Sequence, residues 1–134
     1  MDSIVKYYEI IAALIGGAMC WLLGGFDSLI YALIAFVSVD YLTGLLVAIR
    51  KRRISSSIGS KGISQKIMIF TLIAIANIID QYIVNAGSTL RTMVIIFYLS
   101  NEGISIVENA GNSGLPLPKK LKEGLQTLNQ EKKD

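Results

Sequence analysis

Apolar residues run along four stretches of this chain without a polar face, and the polar residues crowd between and after them. A helix on the surface of a soluble protein would instead alternate apolar and polar positions with a period near 3.6. The first run covers 10–26, reaches back toward Ile4, and ends in the turn sequence GGFDS at 24–28. The second covers 29–49, is interrupted only by Ser38, Asp40, Thr43 and Gly44, and stops at Arg50, Lys51, Arg52 and Arg53. Residues 54–66, ISSSIGSKGISQK, have the Ser and Gly content of an irregular, solvated connection. The third run, 67–86, contains Asn77 and Asp80, and a turn follows at 85–88. The fourth, 90–107, is the weakest, with an apolar heart at 93–99 followed by Ser100, Asn101, Glu102 and Gly103.

About 20 mostly apolar residues cross the roughly 30 Å of a bilayer's hydrocarbon. The pattern therefore predicts an all-α integral membrane protein. Residues 1–110 form a transmembrane helical bundle with spans at about 5–26, 29–49, 67–86 and 90–108, and 111–134 form a basic cytoplasmic tail. Three readings fit the fourth run by itself: a span, a re-entrant segment or an interfacial helix. Charge separates them. Residues 50–66 hold six basic and no acidic side chains, which places that connection in the cytoplasm. Lys119, Lys120 and Lys122 favour the same side, and they reach it only if the fourth run crosses. Four spans with both termini inside is the most economical topology. Trp21, Phe26, Tyr31 and Tyr82 then fall near outer ends, and Tyr7 and Tyr8 near an inner end, as interfacial aromatics do. Tyr41 and Tyr98 lie deeper. In the tail, Leu121, Leu125 and Leu128 recur at helical spacing, giving either a short amphipathic helix on the membrane surface or, with Gly124, a solvated end.

Composition narrows the chemistry. The net charge of +3 is read as an orientation signal, with no nucleic-acid partner. There is no His, and Cys20 is the single cysteine, so a histidine catalyst, a histidine metal cluster and an internal disulfide are excluded. Met19 stands where a lipoprotein signal needs a small residue. Residues 1–9 are not a basic leader, and no A-x-A-like cleavage site follows.

The informative residues are the carboxylates within the runs: Asp40, Asp80 and Glu102. An acidic residue near the centre of a span costs about 2.5–3.5 kcal/mol, against a gain of about 0.3–0.6 for each large apolar residue. Such groups face other helices or water. Asp40, Gly44 and Ala48 share a helical face, and Ala12, Gly16, Cys20 and Gly24 make a similar small face in the first span. That face serves either packing within one four-helix unit or contact between copies. Arg91 is placed to pair with Asp80 or to snorkel to water. Two intramembrane aspartates also fit an aspartyl protease, but the GxGD motif is absent, because Asp40 follows Val39 and Asp80 follows Ile79.

Three segments in order, DYLTGLLVA at 40–48, SSSIGSKGISQK at 55–66 and YLSNEGISIVENAGNSGLPLPKKL at 98–121, resemble the toxin-secretion and phage-lysis holin family. The resemblance covers most of the chain from the second span onward. It implies a protein that accumulates in the bacterial cytoplasmic membrane as a homo-oligomer. It then opens lesions that release a peptidoglycan hydrolase or a toxin, with no catalysis and no cofactor. Asp40, Thr43 and Gly44 carry over from the second-span motif, and Asn101, Glu102, Ser105, Glu108 and Asn109 from the fourth-segment motif. We read these with Asp80 as a pore-lining or assembly face, and Arg50–Arg53 with the tail lysines as topology and membrane-surface groups. Two other readings use the same residues: a small proton or ion channel relaying through Asp40, Asp80 and Glu102, and an adaptor recruiting a partner by its basic loop and tail.

Overall fold

A buried stripe of apolar and polar residues runs along each of three helices. The computed structural model describes residues 1–85 and 87–133, all-helical where it is regular. Helix α1 spans Asp2–Leu23, α2 Ser28–Arg50, α3 Ser56–Ile78, α4 Thr89–Asn112 and α5 Lys119–Lys133. A π-helical stretch, Ile79–Val84, continues α3, so that Ser56–Val84 is one long apolar rod. Asp2–Leu23, Ser28–Arg50, Ser56–Val84 and Thr89–Asn112 are each long and apolar enough to cross a membrane. The expected end of the third run at Ala86, and the side chains of Leu125 and Leu128, lie outside the described residues.

Local sequence sets the helix ends. Helix α1 stops at Gly24, whose φ of 81° is left-handed, and Gly25 N–H reaches back to Cys20 O at 2.8 Å. Asp27 caps α2 by accepting from Ile30 N–H at 3.0 Å. Ser55 caps α3 in the same way through Ile58 N–H at 3.2 Å. Helix α4 ends with Gly114 at φ 99°, and Pro116 and Pro118 separate it from α5.

The structure corrects the reading of residues 54–66 as an irregular connection. From Ser56 onward they are the first turns of α3. The Ser and Gly that resemble loop residues are a packing face. A Cβ on Gly62 would sit 3.1 Å from the Tyr41 ring, and the Tyr41 hydroxyl donates to Gly59 O at 3.4 Å. Glycines let helices approach closely in lipid, and in this chain they seat Tyr41.

The core lies between α2, α3 and α4. Ile30 and Leu33 of α2, Ile73 of α3 and Ile95 of α4 are fully buried, with Val37 and Ile69 beside them. The positions step by three and four, the spacing of one helix face. The closest association is between α2 and α4. Helix α1 joins only by its C-terminal end: Leu23 is its one buried residue, and nothing lies within 4 Å of a Cβ placed on Gly16. Of the predicted small face, Ala12 is exposed and Gly16 half-covered, while Cys20 and Gly24 border a cleft with Trp21, Asn77 and Tyr82.

Candidate functional site: two buried polar layers

The first polar layer closes the end of the bundle where α1 meets α2 and α4 begins. Asp80 is 2 % exposed and sits in the π-helical stretch. Its carboxylate accepts from the backbone N–H groups of Leu90 at 3.1 Å and Arg91 at 2.8 Å. Asp80 therefore caps α4 from another helix, supplying acceptors that the first turn of a helix lacks.

The side-chain pair with Asp80, one of the two readings of Arg91, does not form; Arg91 offers Asp80 only its backbone. Its guanidinium turns to the α1–α2 turn. There Nε donates to Leu23 O at 2.5 Å, Nη2 to Gly25 O at 3.1 Å, and Nη1 to Asp27 Oδ2 at 2.8 Å. Asp80 is already satisfied by main-chain donors, and the fork geometry of guanidinium suits two carbonyls and a carboxylate together. The guanidinium beside Asp27 holds its carboxyl below the usual carboxylate range. Asn77 completes the layer, donating to Trp21 O at 3.3 Å and Leu22 O at 3.1 Å. One arginine and one asparagine thus tie the end of α1 to α3 and α4.

The second layer lies deep in the helices. Asp40 is twelve residues into α2 from Ser28, about 18 Å along the axis. Lys66 of α3 bridges two carboxylates: its ammonium pairs with Asp40 of α2 and, at 2.8 Å, with Glu102 of α4. Asp40 and Glu102 are 7 % and 6 % exposed. On the far side of Asp40, Asn109 Nδ2 donates to Asp40 Oδ1 at 3.0 Å and to Thr43 Oγ1 at 2.9 Å. Gly44 and Ser105 border the same cleft of about 200 Å³, and a Cβ on Gly44 would be 3.7 Å from Asn109. Asn101 and Glu102 border a second cleft of about 500 Å³ on the other side of Lys66.

Of the sequence-predicted group, Asp40, Thr43, Gly44, Glu102, Ser105 and Asn109 come together, with Asn101 at the margin. Glu108 is half-buried on α4. Asp80 belongs to the other layer, beyond Ile30, Leu33, Ile73 and Ile95. Sequence reasoning missed Lys66. It counted as one of six basic loop residues, and the available signal was its place on the α3 stripe, three residues before Ile69 and seven before Ile73. Among the basic groups, Arg50 lies against Gly114, 3.2 Å from a Cβ placed there. Lys51, Arg52, Arg53, Lys119, Lys120 and Lys122 are exposed. No group of His, Cys, Asp and Glu able to hold a metal occurs among the described residues.

An uncharacterized 14.9 kDa protein in the nagH 3′ region of Clostridium perfringens is 35% identical over 132 residues, covering 98% of this chain and 100% of that protein. An uncharacterized protein of Listeria monocytogenes is 43% identical over 107 residues, 80% of this chain and 76% of its own. A protein of Bacillus phage phi105 named a probable holin is 28% identical over 93 residues, 69% of this chain and 68% of its own. No solved structure matches the chain. Residues 17–130 match the bacteriophage holin family, so both polar layers fall inside the matched region, and this multi-pass membrane protein belongs to that family.

Proposed function

We propose that this chain oligomerises in a bacterial cytoplasmic membrane and opens lesions through which a peptidoglycan hydrolase, or a toxin, leaves the cell. The observation that carries the reading, beyond family membership, is the deep layer of Asp40, Lys66, Glu102 and Asn109 inside helices long and apolar enough to cross a membrane. Intramembrane ionisable groups are costly to place and mark functional positions. This role requires neither catalysis nor a cofactor.

The relay reading, with Asp40, Asp80 and Glu102 as stepping stones, has less support. A continuous apolar layer built on Ile30, Leu33, Ile73 and Ile95 separates Asp80 from the other two, and Asp80 is held by main-chain donors.

Both termini are assigned to the cytoplasm. Lys66 no longer counts toward the charge bias, but Arg50, Lys51, Arg52, Arg53 and Lys61 remain exposed at that end, with the tail lysines beyond. Reporter fusions are expected to read cytoplasmic after Asp134 and extracytoplasmic at Ser88; an extracytoplasmic Asp134 removes α4 from the set of spans.

The function is tested by expressing the chain alone in a bacterium. Growth arrest and loss of membrane potential are expected, with abrupt lysis once a signal-less peptidoglycan hydrolase is co-expressed. Release of a folded cytoplasmic enzyme indicates a lesion of protein size. Proton leakage with the hydrolase retained favours the ion-channel reading, and intact potential at high membrane levels defeats both.

A further inference from the structure

We propose that Lys66 is a lock: while it bridges Asp40 and Glu102, the two carboxylates able to keep a lesion wet are sealed inside the protomer, and α3 must withdraw from α2 and α4 before a lesion opens. The inference rests on the lesion-forming reading above and adds what holds accumulated protein silent.

Around the lock, Phe36, Val39 and Leu42 on α2, Met68 and Leu72 on α3, and Phe97 on α4 are exposed and apolar, whereas Ser64 and Gln65, beside Lys66 on α3, are exposed and polar. The exposed hydroxyls nearby are used by their own helices. Ser38 donates to Ile34 O at 2.7 Å, Thr71 to Ile67 O at 2.9 Å and Ser100 to Ile96 O at 3.0 Å. A ring of closed protomers lined by the α2 face would enclose an apolar wall, and apolar constrictions dewet. The closed form can therefore assemble without leaking.

Helix α3 is the one able to leave. Helices α2 and α4 stay tied without α3, because Asn109 holds both Asp40 and Thr43. Helix α3 meets that pair at this level through Lys66 and the Tyr41 seat on Gly59 and Gly62, and the clefts of about 200 and 500 Å³ flank it on either side. At its other end α3 is held more fully, by Asn77 and by the π-helical stretch with Asp80. Withdrawal thus begins at Lys66 and leaves Asp40, Glu102 and Asn109 lining the opened space. A carboxylate pair stripped of its cation is poorly tolerated in a closed interior and draws in water.

The test follows a buried thiol on the sealed face. Val37 is 8 % exposed and lies one turn from Asp40 on α2. In a Cys20→Ser background, Val37→Cys is expected to resist a water-soluble maleimide before lysis onset and to react after it. Lys66→Gln should shift onset earlier and make Val37→Cys reactive from the start, while Lys66→Arg, which keeps the bridge, should keep onset near that of the parent. Labelling from the start in the chain with Lys66 intact overturns the lock. So does onset with Val37→Cys still protected, or an unchanged onset in Lys66→Gln. If Lys66→Gln fails to accumulate in the membrane, the labelling time course with Lys66 present decides alone. A parent chain that never depolarises cells defeats the lesion reading itself, whereas parent lesions with unaltered Lys66→Gln timing defeat only the lock.

Discussion

Arg91→Gln is expected to destabilise the folded protein by about 3 kcal/mol, seen as unfolding at lower denaturant in detergent and as reduced accumulation in membranes. Arg91 is 3 % exposed and its guanidinium serves Leu23 O, Gly25 O and Asp27 together. Hydrogen bonds to a charged group contribute about 1.5–3 kcal/mol each. The Asp27 part is discounted, because that side chain is 47% exposed and water replaces much of the lost pairing. The larger loss is at the carbonyls, which sit where α1 ends and have no other route to α4. Gln reaches at most one of these acceptors. Arg91→Lys should fall between, since it keeps the charge but loses the fork. Asp27→Asn should cost least, about 1 kcal/mol or under. Equal stability of Arg91→Gln and the parent would show that this end is held by apolar contact alone.

Gly24→Ala is expected to cost about 1–2 kcal/mol for its left-handed backbone, and about 1.5–3 kcal/mol more for disturbing Arg91. A Cβ at Gly24 would meet Asn77 Oδ1 and would lie 2.8 Å from Arg91 Nε and 2.9 Å from its Cδ. These are side-chain atoms, which commonly move aside at little cost. Here they are not free, because Arg91 Nε is bonded to Leu23 O and Asn77 to Trp21 O and Leu22 O. Gly25→Ala is the control. It also has positive φ, at 105°, but nothing lies within 4 Å of its added Cβ, so only the backbone part applies. Unfolding midpoints should therefore order parent, Gly25→Ala, Gly24→Ala. Matching losses at the two glycines would mean that Asn77 and Arg91 rearrange without penalty.

Much of the architecture is written in the sequence. Long uninterrupted apolar runs define four membrane-length helices because lipid, unlike water, leaves a helix no way to satisfy its backbone except internally. The turn GGFDS carries its own geometry: a left-handed glycine to stop α1 and an aspartate to cap α2. Asp40, Thr43, Glu102 and Asn109 stand out in the sequence through their resemblance motifs, and the cost of a carboxylate in hydrocarbon turns such groups toward other helices or water.

Other features needed the tertiary structure. Residues 56–66 have the composition of a loop because Ser and Gly end helices in water yet also pack helices in lipid, and only the Tyr41 seat tells the two uses apart. Asp27 rather than Asp80 receives the Arg91 guanidinium because the π-helical stretch aims Asp80 at the open end of α4. Lys66 looked like one more loop charge. Its pairing with Asp40 and Glu102 depends on the rotation and depth of three helices relative to one another. A hydropathy pattern records which residues leave water but carries no information on which of them meet, since meeting is set by the angular register of separate helices and by close packing.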